Sequence, residues 1–118
     1  MQIELKDTFE IVEEGTRYRL PQYDVVDGQG IVEADGAYTT IEFVRGSRLA
    51  DEQVERRRGT LHEHLLGMMI HDLKYKSSLV PSPETAQAIA KLQEAQSWLL
   101  TRQIDRQRKG TLGTYQKE

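Results

Sequence analysis

At Gly46 the hydrophobic period of this 118-residue chain changes, and that change decides what it can fold into. Before it, apolar residues come in short alternating runs: Phe9-Glu10-Ile11, Tyr18-Arg19-Leu20, Tyr23 to Val26, Gly30-Ile31-Val32 and Tyr38 to Val44. The last run is the richest in β-branched and aromatic residues, the composition of a strand. Glu14-Gly15, Asp27-Gly28, Asp35-Gly36 and Gly46 separate the runs, and Asp-Gly between apolar runs favours tight turns. Connections this short predict an antiparallel meander. Pro21 cannot donate to a ladder and is expected at an edge or a strand start.

After Gly46 the pattern is helical. Leu61, Leu65, Met69 and Leu73 step by four, and Leu66 and Ile70 form a second row, so a first helix is expected from about Leu49 to Leu79. At that length it would run roughly 45 Å, longer than a sheet of this size can cover. Gly59 and Gly67 fall within it, and Gly67, set among large apolar residues, fits either a close approach by another helix or a harmless lapse. The break is Leu79-Val80-Pro81-Ser82-Pro83-Glu84. Ser82 suits the N-cap, Pro83 the first helical position and Glu84 the positive helix end. The second helix is expected over Pro83 to Lys109, with Ile89, Leu92, Leu99, Ala88 and Ala95 as its stripe and Gly110 closing it. A short link makes the two helices antiparallel neighbours. The reading is α+β: a small N-terminal antiparallel sheet over residues 1–46, a long antiparallel helical hairpin over 47–110 that binds ligand and mediates oligomerisation, and a tail over 111–118.

Charge narrows the partners. Residues 1–44 carry three basic and ten acidic side chains, and residues 45–110 twelve basic and eight acidic. The acidic half repels nucleic acid, so no DNA or RNA polymer is expected, while the basic half can hold a small anion. With no cysteine, there is neither a disulfide framework nor a zinc–thiolate site. The first residues have no basic n-region or apolar h-region, and no apolar run approaches the ~20 residues of a membrane span. A soluble, cytoplasmic protein without membrane contact is the expectation.

Catalytic patterns are missing. His62, Glu63 and His64 hint at a metal, but helix residues two apart do not share a face, and no third ligand joins His64 and His71. Glu52 and Glu55 form the E-x-x-E half of a magnesium cage, but neither Glu84 nor Glu94 has an Asp three residues later to complete it. There is no G-x-S-x-G, no phosphate loop, and no base paired with Ser77, Ser78 or Ser82. No catalytic residue, metal ligand or cofactor is assigned. A basic and aromatic set remains. Arg102 and Arg106, four apart, share a helix face, and guanidinium groups grip phosphate oxygens in two-pronged fashion. Tyr75 can stack on a base. The Ser82–Thr85 turn offers backbone N–H groups at a helix start, and Arg17 and Arg19 add charge from a strand. Alternatively, Arg102 and Arg106 only complement the helix dipole and pair with Asp105 or Glu94. Thr85 and Arg102 are about 25 Å apart along one helix, so the spacing fits two sites, or one site shared across a dimer.

The stretches Gly59 to Leu66 and Ile70 to Thr85, with Ala88 to Ala95, Trp98-Leu99 and Gly110 to Tyr115, resemble the hairpin domain of phage anti-Thoeris sponges. The hairpin is also similar to that of phage anti-CBASS sponges, and Tyr23 to Gly30 resembles the sheet of the anti-Thoeris branch. The resemblance implies a non-enzymatic protein that sequesters cyclic ADP-ribose isomers made by bacterial TIR enzymes, as a homodimer or homohexamer inside the infected host. It further implies a second kind of site for cyclic di- or trinucleotides. By the same resemblance Tyr75 stacks on adenine, Arg102 and Arg106 hold phosphates, Asp105 contacts a ribose hydroxyl, and Ser82 and Thr85 belong to the second site. Where relatives carry an arginine after that turn, this chain has Pro83. Two other classes stay open: an adaptor whose helical face binds a host protein, and a metal-dependent nucleotide hydrolase.

Overall fold

The computed structural model describes residues 8–46 and 55–108. The chain is α+β: strands β1 (Glu10–Glu13), β2 (Arg17–Val26) and β3 (Gly30–Glu42), then helices α1 (His62–Leu79) and α2 (Pro83–Arg108). It divides into two units, Met1–Phe43 and Val44–Glu118.

The first unit is an antiparallel sheet of order β1-β2-β3. Five expected runs merge into three strands. Tyr18 to Val26 is continuous through Pro21, which lies opposite Tyr38 beside a register shift. The β1 pairing ends at Glu10↔Arg19, so Pro21 sits where β2 has lost that neighbour, and the edge expectation holds locally although β2 is central. Asp35-Gly36 is not a turn between strands. Pro21↔Tyr38 and Tyr23↔Glu33 leave one residue unpaired on β2 against four on β3, and Gly36, at φ 74°, lies in that bulge. A left-handed residue bends the strand there without ending it. The Asp27-Gly28 turn forms as expected, closed by the Gln29 N–H donating to the Val26 carbonyl at 3.0 Å. The Thr16 N–H closes the Glu13–Thr16 turn in the same way at 3.1 Å.

The two sheet faces differ. Tyr18 meets Phe9 and Phe43 edge-on, each at 5.9 Å, on one face. On the other, Arg17 pairs with Glu42 at 3.0 Å, and Arg19 pairs with Glu10 at 2.7 Å while lying 4.2 Å over the Tyr38 ring. Thr16, 2% exposed, fixes the start of β2: its hydroxyl donates to the Phe43 carbonyl and its own carbonyl accepts from the Phe43 N–H.

In the second unit, α1 is shorter than its periodicity suggests. It starts at His62, and the expected stretch from Leu49 splits. Residues 49–54 lie outside the described residues. Arg57 is instead held in extended backbone by reciprocal hydrogen bonds with Arg45 at 3.0 Å, and Thr60 accepts from the Val44 N–H. Gly59 therefore precedes the helix. A tertiary ladder has overridden a helical pattern that carries four charged residues and a glycine over Glu55–Gly59. The second helix runs as expected to within a residue, while Gly110 and the tail lie outside the described residues.

α1 and α2 are antiparallel neighbours across Val80-Pro81-Ser82. On α2 the half-buried row is Thr85, Ile89, Leu92, Gln96, Leu99 and Gln103, with Arg106 next. The steps of three and four are those of a helix seam. Ala88 and Ala95 are exposed and fall outside it, a correction to the expected stripe. On α1, Glu63 and Ile70 are buried. Gly67 marks a close approach: a Cβ placed there would lie 2.9 Å from Gln96 Nε2, an amide that donates to the Glu63 carbonyl at 3.1 Å.

Candidate functional site

The hairpin places the expected ligand residues at two ends. Tyr75 lies near the C-terminus of α1, 61% exposed, with its ring open to solvent. It follows His64, Met68 and His71 along an exposed row of α1. Arg102, Asp105 and Arg106 occupy the last turns of α2. The contact between Gln96 and Glu63 sets the level of the two helices, because Glu63 is in the first turn of α1. Arg106 therefore stands about ten residues, roughly 15 Å, past that level. Tyr75 sits toward the opposite end, beside the turn. One hairpin does not bring Tyr75 and the α2 arginines together.

Within the α2 end, the geometry suits anion capture. Arg102 is exposed, and Arg106 and Asp105 are half-buried. At about 100° per residue, Ala95, Trp98, Arg102 and Asp105 form one row, and Arg106 borders it one turn from Arg102. Among the described residues, Arg102 makes no ion pair with Glu94 or Asp105. Glu94 approaches Lys91 instead, at 4.0 Å. The internal pairing weighed for Arg102 is thus not seen, and its donors face solvent. Trp98 is 70% exposed, and Leu100 and Ile104 are exposed too. The C-terminal half of α2 shows apolar side chains on more than the face that meets α1.

At the turn, Ser82 is a complete N-cap. Its Oγ accepts from the Thr85 N–H at 3.1 Å and donates to Thr85 Oγ1 at 2.8 Å. The capping bond takes one of the N–H groups expected to seat a phosphate. Arg17 and Arg19 are engaged in the sheet: Arg17 donates from Nε and Nη2 to Glu42 Oε2, and Arg19 from Nη2 to Glu10 Oε2. The Glu10 hydrogen bond is the main cause raising the Arg19 pKa above its ordinary value, so this guanidinium stays charged. Both carry a compensating carboxylate, unlike Arg102.

One cationic feature was missed by the sequence reading. Arg56, Arg57 and Arg58 precede α1, and Arg57 faces Arg45 across the short bridge. Arg57 Nη1 donates to Glu55 Oε1 at 2.7 Å, and Arg45 Nε donates to the Glu55 carbonyl at 2.8 Å. The signal was the triple arginine itself, obscured by assigning it to a helix. Among the described residues no group of three or more His, Cys, Asp or Glu is arranged to hold a metal ion, and no helix is long and apolar enough to cross a membrane.

No protein-family model matches the chain. It is similar to Thoeris anti-defense 1 of Bacillus phage SBSphiJ7, with 40% identity over 60 residues, which cover 50% of this chain and 42% of that protein. The chain therefore spans less than half the length of the curated relative it matches. This likeness supports the anti-Thoeris family suggested by the hairpin residues.

Proposed function

We propose that the chain is a phage anti-defence sponge: it binds a cyclic ADP-ribose-type signal of Thoeris immunity in the cytoplasm of the infected bacterium and holds it uncleaved. The likeness to a Thoeris anti-defense protein over half the chain carries this reading. The geometry supports a site shared between copies. The α2 arginines and Tyr75 stand at opposite ends of a hairpin, so an antiparallel partner supplies the missing end, and exposed Trp98 and Ile104 give that partner an apolar surface to cover. In the shared site Arg102 and Arg106 grip the pyrophosphate, Asp105 accepts from a ribose hydroxyl, and Tyr75 of the second copy stacks on the adenine. Such an arrangement binds without a nucleophile or general base. The Ser82–Thr85 turn is the weaker seat for a cyclic di- or trinucleotide, since Ser82 already holds the Thr85 amide.

Calorimetric titration with a cyclic ADP-ribose isomer, followed by denaturation and chromatography, tests the reading. Saturable heat and recovery of the intact compound are expected. Absence of heat refutes binding, and a cleaved product refutes sequestration. Arg106→Ala should weaken binding at least tenfold, the loss of about 1.5 kcal/mol expected for a charged hydrogen bond.

A further inference from the structure

The sheet treats its edges unequally. β1 is four residues long and its pairing slips between Ile11 and Glu13. Where β1 stops pairing, β2 carries Pro21. Short strands, irregular pairing and proline are the usual means of blunting an edge. β3 has none of them over its final part: Ala37-Tyr38-Thr39-Thr40-Ile41-Glu42 holds no proline, lysine or arginine, and 39–40 and 42 are exposed.

The direction of its backbone groups follows from one hydrogen bond. The Phe43 N–H donates to the Thr16 carbonyl, so the Phe43 backbone faces β2. Hydrogen-bonded and non-hydrogen-bonded pairs alternate along an antiparallel ladder. Ile41 and Thr39 therefore also face β2, and the N–H and C=O groups of Tyr38, Thr40 and Glu42 face away from it. Among the described residues no main-chain partner reaches those groups.

We infer that this edge pairs with the same edge of a second copy of the chain, β3 against β3 in antiparallel register about a two-fold axis at Thr40. The Gly36 bulge confines the straight part of the edge to residues 37–43, and centring that segment on itself gives the Thr40 register. The outward groups then bond as Thr40 with Thr40 and Tyr38 with Glu42, in alternation with the β2 ladder. Side chains match across the axis: on the polar face hydroxyl meets hydroxyl and Tyr38 meets Glu42; on the aromatic face Thr39 meets Ile41 and Ala37 meets Phe43. No like charges are opposed, the condition such a pairing needs. This contact uses sheet residues and is separate from the helical one proposed above.

Two variants of the full chain test it. In Thr40→Glu the new carboxylate faces Arg19 across β2 but faces its own copy across the edge. Its mass by light scattering should fall at least twofold relative to the unchanged protein, with the circular dichroism spectrum of the folded chain kept. Thr40→Cys, in a chain that has no other cysteine, should give a covalent dimer on non-reducing gels after mild oxidation with diamide, whereas Gln29→Cys at the hairpin turn should not. An unchanged mass for a folded Thr40→Glu, or equal crosslinking at both positions, overturns the inference. Neither readout involves the cyclic ligand, so failure here leaves the sponge reading standing, and failure of ligand binding leaves the edge pairing standing.

Discussion

Gly67 and Gln96 report on the helix approach through a double-mutant cycle. Replacing glycine by alanine inside a helix gains about 0.5–1 kcal/mol of conformational free energy. At Gly67 that gain is opposed. The added Cβ would lie 2.9 Å from Gln96 Nε2, so the amide must move and give up its bond to the Glu63 carbonyl. Such a bond is worth about 1 kcal/mol, and Gly67→Ala in the unchanged protein should be near neutral. In a Gln96→Ala background the obstruction is gone, and Gly67→Ala should stabilise by about 1 kcal/mol. The coupling is thus about 1 kcal/mol, well outside the roughly 0.3–0.5 kcal/mol scatter of independent sites. Urea unfolding followed by circular dichroism, at one fixed protein concentration, measures all four variants. If Gly67→Ala stabilises equally in both backgrounds, the two helices do not meet as described. Gly67→Leu supplies the outer bound, since its bulk cannot be absorbed by one flexible amide, and it should destabilise by about 1–3 kcal/mol.

Ser82→Ala should lower stability by about 1 kcal/mol through the lost cap; a change under ~0.3 kcal/mol in thermal unfolding would show that the capping bond is absent in solution. Trp98→Ala should leave the stability of a single hairpin within ~0.5 kcal/mol, because the indole is largely solvated in one chain. It should nevertheless reduce the sedimenting mass, and an unchanged mass would remove Trp98 from any contact between copies.

The sequence was most legible where local chemistry and tertiary demand agree. Ser82-Pro83-Glu84 states a helix start in three residues, and α2 begins there. Gly67 among leucines and methionines left a close approach and a harmless lapse both open, and Gln96 decides for the approach. The strand order was legible from turn residues, but strand length was not. Asp35-Gly36 carries the same dipeptide as Asp27-Gly28, yet one becomes a bulge and the other a turn. The difference lies in how many residues the opposite strand offers, which no local motif encodes. Likewise Arg56-Arg57-Arg58 reads as part of a helix until Arg45, more than ten residues earlier, takes up the Arg57 backbone. For the candidate site, the kinds of residue were legible and their separation followed from helix rise. The freedom of Arg102, against the carboxylate-bound state of Arg17 and Arg19, was not, because it depends on which acids the fold brings within reach.

Burial supplies a physical argument for the association between copies proposed above. Among the described residues Ile70, at 7% exposure, is the buried apolar side chain, while Phe9, Val25, Ile31, Trp98 and Ile104 are each more than half exposed. The seam between α1 and α2 is half polar, with Gln96, Gln103 and Thr85 on the row of Ile89, Leu92 and Leu99. Glutamine and threonine bring hydrogen bonds worth about 1 kcal/mol each, but little of the roughly 25 cal/mol per Å² that buried apolar surface supplies. A hairpin of this composition fixes geometry more than it supplies stability. In the proposed association, apolar side chains left outside the seam gain by meeting a second copy, and mass action would then tie the folded state to concentration. Under the proposed shared site, arginines and an aromatic ring can sit at opposite ends of one hairpin without losing their use. A site completed only by association can draw its parts from ends that no single chain unites.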